Sequence, residues 1–165
     1  MSGAIQFFSR IVTVAATAAF FAGAVPAAHA EGAFAGYEGR WSGTGNITLS
    51  SGAKERIRCR AVYAVTDNGR ILTLDLRCAS DSYQINLTTN LVNRGGTVSG
   101  TFNETTRGVS GSVSGRTNGS TQIEAVATSP NFNASFSVHT RGNSQAVTIH
   151  SPGSELSSVS ITLKR

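Results

Sequence analysis

The side chains of this 165-residue chain that could define an activity are few: two cysteines, a scatter of acids and arginines, and His139 and His150 beyond an apolar N-terminal stretch. Cys59 and Cys78 favour a structural disulfide over a metal centre, because a metal would need further His or Cys ligands close by. Catalysis by a nucleophile needs a base held against it on a shared face. Both histidines fall on outward positions of the strand alternation traced below and do not oppose one another, so the abundant serines near them make no triad. No glycine-rich loop follows a strand and opens a helix, which removes the usual phosphate cradle. A non-enzymatic protein without cofactor or metal is the expectation. Lys54, Arg56, Arg58 and Arg60 alternate along one segment and so share its outer face, and Arg77 is expected beside Arg60, with Asp75 and Asp81 flanking. Such a stripe either attracts an anionic partner or serves as a solvated face that discourages sheet association. Glu104 is the one inner-face carboxylate among apolar neighbours, with Ile85 and Val109 expected beside it. It reads as a ligand-anchoring acid at a barrel mouth or as a strand-end acid reaching water. Glu55 carries the same ambiguity at what should be the other end.

Several features decide where these groups operate. Arg10, the apolar run 11–25 and the small-x-small triplet Ala28-His29-Ala30 have the order of a cleaved export signal, 1–30. Residues 31–38 read as a flexible leader and 39–165 as one domain. An exported chain sits in a bacterial periplasm or outside the cell, where two cysteines pair. No later stretch is apolar enough to cross a bilayer. Without Arg10 the chain has 13 basic and 9 acidic side chains, a net charge of +4, modest for a nucleic-acid partner, which is not expected.

The stretch 54–80 sets the layout. Asn68-Gly69 suits a tight hairpin turn, because both residues tolerate positive φ. With Asp67 facing Arg70, Cys59 falls opposite Cys78, within disulfide reach. Tyr63 then meets Leu74, and Val65 meets Leu72. From residue 39 onward apolar and polar residues alternate at period two, and no segment shows helical spacing. Ten strands result: 40–50, 54–67, 70–79, 83–92, 97–106, 108–116, 120–128, 132–140, 144–150 and 156–164. A three-residue loop at 51–53 would place Trp41 opposite Tyr63, Gly45 opposite Cys59 and Ile47 opposite Ile57. Later turns would place Leu87 opposite Phe102, Ile123 opposite Phe136, and Phe136 opposite Val147. At 117–119 a three-residue loop with Gly119 left-handed would set Val113 opposite Ile123 and Gly111 opposite Ala125. Val159, Ile161 and Leu163 complete the inner face.

The expected fold is therefore all-β: an antiparallel up-and-down meander of about ten strands closed into a barrel, with a two-layer sandwich as the alternative. Small inner residues (Gly100, Gly111, Ala125, Ala134) leave either a cavity or room for large side chains from the far wall.

Gly39-Arg40-Trp41 at the start of the first strand resembles the Gly-x-Trp signature of the calycins: lipocalins, avidins and fatty-acid-binding proteins. The resemblance implies a barrel that binds a small apolar or amphipathic ligand inside, here between Trp41, Tyr63, Phe102, Glu104 and Phe136. It also implies a basic residue packed over the tryptophan, for which Lys164 and Arg165 are placed. The chain lacks the C-terminal helix of lipocalins and the tryptophan row of avidins. Its architecture also resembles that of small bacterial envelope inhibitors of proteases and lysozymes. The expected partners are thus a small apolar ligand, an anionic envelope component bound on Lys54, Arg56, Arg58, Arg60 and Arg77, or a hydrolase.

Overall fold

Turn chemistry decides where each strand of this protein ends. A computed structural model describes residues 32–165; the expected export signal, 1–30, lies outside the described residues. Ten strands follow in chain order: β1 (Gly39–Leu49), β2 (Lys54–Thr66), β3 (Ile71–Ala79), β4 (Gln84–Arg94), β5 (Thr97–Glu104), β6 (Val109–Asn118), β7 (Gln122–Ser129), β8 (Phe132–Arg141), β9 (Ser144–His150) and β10 (Leu156–Lys164). Each pairs antiparallel with its neighbour, and β1 pairs with β10, so the sheet closes into a barrel and leaves no edge. That resolves the choice between barrel and sandwich.

The β2–β3 hairpin has the expected register: Cys59 lies opposite Cys78, Tyr63 opposite Leu74, and Val65 opposite Leu72. The cysteines are bonded, with Cα atoms 4.1 Å apart. The turn is longer than expected. Pairing stops at Thr66 and Ile71, and Asp67 joins Asn68 and Gly69 at positive φ.

Five other registers differ from expectation, all by even steps. β1 pairs Trp41 with Ala61, Gly43 with Cys59, Gly45 with Ile57 and Ile47 with Glu55. The loop is 50–52 rather than 51–53, because Gly52 has φ +85° and must occupy its left-handed third position. Gly95 and Gly96, both at positive φ, form the β4–β5 turn and set Phe102 opposite Thr89 and Glu104 opposite Leu87. Gly119 opens the β6–β7 loop instead of closing it, so Val113 meets Ala127, and Gly115 meets Ala125. Phe136 pairs with Ala125 and Ile149, while Val138 pairs with Ile123 and Val147. An even slip keeps every side chain on its face, so the inner surface is the expected one.

The core is this inner surface, closed at one end. Residues 32–38, expected as part of a flexible leader, instead fold across the barrel: a 3₁₀ turn, Ala35–Tyr37, buries Phe34 and Tyr37 completely. Phe34 N–H donates to Gly69 O at 2.9 Å. Gly32 packs so closely on the Asn68-Gly69 turn that a Cβ there would meet the Asn68 carbonyl. The same glycine-bearing turn that sets the hairpin thus anchors the plug.

Candidate ligand site in the barrel interior

Inner positions of a closed barrel converge on one space, and here they do not fill it. A cavity of about 210 Å³ lies along the interior, lined by Tyr37 and Tyr63 towards the plug and by Phe102, Phe132 and Phe136 farther out. Ala127 and Ala134, paired across β7 and β8, line it with small side chains. Phe102 and Phe132 meet edge to face, 6.0 Å between ring centres. A second space of about 290 Å³ shares Ile85, Glu104, Phe132, Ala134 and Ile149 with the first, and reaches Arg107 and Glu155 in the loops opposite the plug. The interior therefore has one sealed end and one mouth.

Of the residues expected to line a ligand, the structure brings together Tyr63, Phe102, Glu104 and Phe136. Trp41 does not join them. Its indole is buried beneath the plug, with Nε1 donating to Tyr37 O at 2.8 Å, and Tyr37 takes the place at the cavity floor. Arg165 covers the outer side: its guanidinium carbon sits 4.7 Å from the Trp41 ring centre, and Nη1 donates to Glu38 O at 2.7 Å. Of the two basic residues placed there from sequence, Arg165 makes the contact.

Glu104 lines the cavity but is fully engaged by backbone. Oε1 accepts from Asn86 N–H (3.1 Å) and Thr106 N–H (2.9 Å), and Oε2 from Arg107 N–H (2.9 Å). Burial pushes its carboxyl up, yet these bonds outweigh it and hold the pKa below the ordinary value. The carboxylate clamps the β5–β6 loop at the mouth. Glu55 lies at this same end rather than the opposite one, accepting from Ser82 N–H at 2.8 Å, which lowers its pKa. Tyr83 donates to Glu155 across the rim at 2.8 Å.

The floor has a polar group that the alternation alone did not suggest. Tyr63 donates its hydroxyl proton to Gln145 Oε1 at 2.7 Å, and Gln145 Nε2 donates to Thr140 Oγ1 at 3.0 Å. Gln145 and Thr140 occupy inner positions beside Val147 and Val138, where the register across β8–β9 could have flagged them as buried polar residues. Tyr37 sits outside any strand, and its burial had no periodic signal. Desolvation raises the pKa of both phenols, that of Tyr37 to about 12.

On the outer wall Lys54, Arg56, Arg58 and Arg60 are all exposed along β2, and Arg60 opposes Arg77 as expected. Arg77 is paired with Asp75 at 3.3 Å. His139 and His150 are exposed and lie on separate rows.

A closed ten-stranded antiparallel meander with Gly39-Arg40-Trp41 opening β1 and Arg165 stacked on the tryptophan fits a calycin-like fold. Among solved structures, the chain is similar to Rv2717c from M. tuberculosis, with TM-score 0.62 and 17% identity over 79% of this chain and 93% of that one. A weaker likeness is to the S-type phycobiliprotein lyase CPES from Guillardia theta, with TM-score 0.49 and 10% identity over 78% and 86% of the two chains. At these identities the first likeness is one of fold alone. No protein-family model matches the sequence, and no curated protein does.

Proposed function

We propose that this is an exported, non-enzymatic barrel that binds a small, mainly apolar molecule in its interior. One observation carries the reading: an unfilled apolar space, closed off by Phe34 and Tyr37 at one end, that shares its wall at the other with a second space at the mouth. The interior is smaller than the roughly 300 Å³ at which drug-sized sites begin. An apolar cavity of about 150 Å³ accepts benzene, so the inner space suits a body somewhat larger than a single ring, with any longer chain running into the mouth. Toluene titration followed by methyl NMR should shift the Ala127 and Ala134 resonances. Ala134→Leu, which fills the space from the wall, should abolish binding while keeping the fold. Unmoved methyls in the unaltered protein would remove the interior as a site.

A second reading rests on the β2 face. Among the described residues no carboxylate lies within ion-pair distance of Lys54, Arg56, Arg58 or Arg60, and Ser42, Thr44, Asn46 and Thr48 flank them on β1. This arrangement supports binding of an anionic envelope component. Heparin retention should weaken with salt and be lost when Arg56, Arg58 and Arg60 all become Ser; retention by that variant would exclude the face.

A further inference from the structure

Among the described residues, one buried side-chain polar atom lacks a hydrogen-bond partner: the Tyr37 hydroxyl. Tyr37 is fully buried, lines the cavity, and packs edge-on against Tyr63 with ring centres 6.0 Å apart. Two of its neighbours have committed their donors. The Tyr63 proton goes to Gln145, and the Gln145 amide goes to Thr140. The Thr140 hydroxyl, whose own proton has no other acceptor, lies where it can bond weakly to the Tyr37 oxygen and so works against the desolvation that raises the phenol's pKa, but the Tyr37 proton itself goes to no acceptor within hydrogen-bond distance. A phenol is protonated at neutral pH, so a neutral O–H without an acceptor lies at the floor of a mainly apolar space whose polar lining, Thr89 and Glu104, belongs to other strands.

We infer that the inner end of the cavity receives the oxygen of a neutral ligand, a ketone, ester or alcohol, which accepts the Tyr37 O–H while the apolar remainder fills the space towards Phe102 and Phe136. This rests on the interior being a binding site. A hydrocarbon would fill the same space and leave the hydroxyl unmet, the arrangement that buried polar groups avoid. A carboxylate would meet the hydroxyl but bury its charge where no Lys, Arg or His lines the wall. The favoured class is thus polar at one tip and uncharged.

Three probes of nearly one shape separate these cases: acetophenone, α-methylstyrene with a methylene in place of the oxygen, and benzoate. Calorimetric titration near neutral pH should show acetophenone and α-methylstyrene binding and benzoate failing. In Tyr37→Phe the preference for acetophenone over α-methylstyrene should fall about tenfold, the ratio that one net hydrogen bond supplies. An unchanged preference overturns the role of Tyr37 and leaves the cavity reading standing. Benzoate binding as well as acetophenone overturns the neutral class. If none of the three binds, the cavity reading itself fails and this inference with it. Should Tyr37→Phe not fold, the infrared carbonyl stretch of acetophenone bound to the unaltered protein decides: a shift to lower frequency than in hydrocarbon solvent supports the bond, and a hydrocarbon-like frequency overturns it.

Discussion

Glu104 shows how a side chain can sit at a binding site and serve the scaffold. A ligand-anchoring carboxylate needs a free lone pair directed inward, whereas this one holds three backbone N–H groups from β4 and the β5–β6 loop. Because its folded pKa lies below the unfolded value, it contributes stability above the unfolded value, and that contribution is lost as pH falls through the folded one. Glu104→Gln should therefore lower stability at neutral pH by about 1.5–3 kcal/mol, the range for a hydrogen bond to a charged group. The gap should close as acid takes the unaltered protein below the ordinary carboxylate value of about 4.3. Urea midpoints near pH 7 and pH 3 test this; a constant gap would mean that the ionised form is not what the loop recognises. Residue type and inner parity were enough to place Glu104 at the mouth. Its engagement was not legible, because one bond comes from Asn86, which only the β4–β5 register brings beside it, and two come from the loop after β5.

At the scale of the strand, parity and register are different quantities. The alternation of Tyr83, Ile85, Leu87, Thr89 and Leu91 decides which side faces in, and any even slip satisfies it equally. Register is set by the few loop positions where the backbone turns left-handed, so Gly52, Gly95, Gly96 and Gly119 decide it. Placing Gly52 at the third position of its loop is the same rule that was applied to Gly119, where the chain does the reverse and opens the loop with it. Strand glycines answer to a second constraint. Gly45 stands where β1 and β10 close the barrel, and a Cβ there would meet the Ser160 carbonyl and approach Ile161 Cα to 2.7 Å. Because those atoms are backbone, Gly45→Ala forces the closing pair apart, at a cost of about 1–3 kcal/mol or more. Gly52→Ala meets nothing within 4 Å and should cost only the left-handed penalty of about 1–2 kcal/mol. Amide exchange separates the two: Gly45→Ala should speed exchange along β1 and β10, and Gly52→Ala only around its loop. Equal and local effects would show that the closing seam tolerates the methyl.

For the molecule as a whole, the decisive asymmetry is between its ends. The mouth is built from loops tied by Glu104, Glu55 and the Tyr83–Glu155 bond, whereas the far end is stopped by a segment before β1 that belongs to no strand. Nothing in residues 32–38 alternates, and four small residues dilute its aromatics, so composition and period both read it as leader. Its two rings find a place only because the barrel presents an open end and the Asn68-Gly69 turn offers a carbonyl and a side-chain-free surface. If the plug is part of the fold, Phe34→Ala should lower unfolding stability by about 3–5 kcal/mol, as for other fully buried phenylalanines. It should also loosen Tyr37, whose carbonyl holds the Trp41 indole. Trp41 is the chain's one tryptophan, so its fluorescence should move to longer wavelength in folded Phe34→Ala as water reaches the ring. A variant with the original denaturation midpoint and an unshifted emission would place this segment outside the cooperative structure and leave the barrel open at both ends.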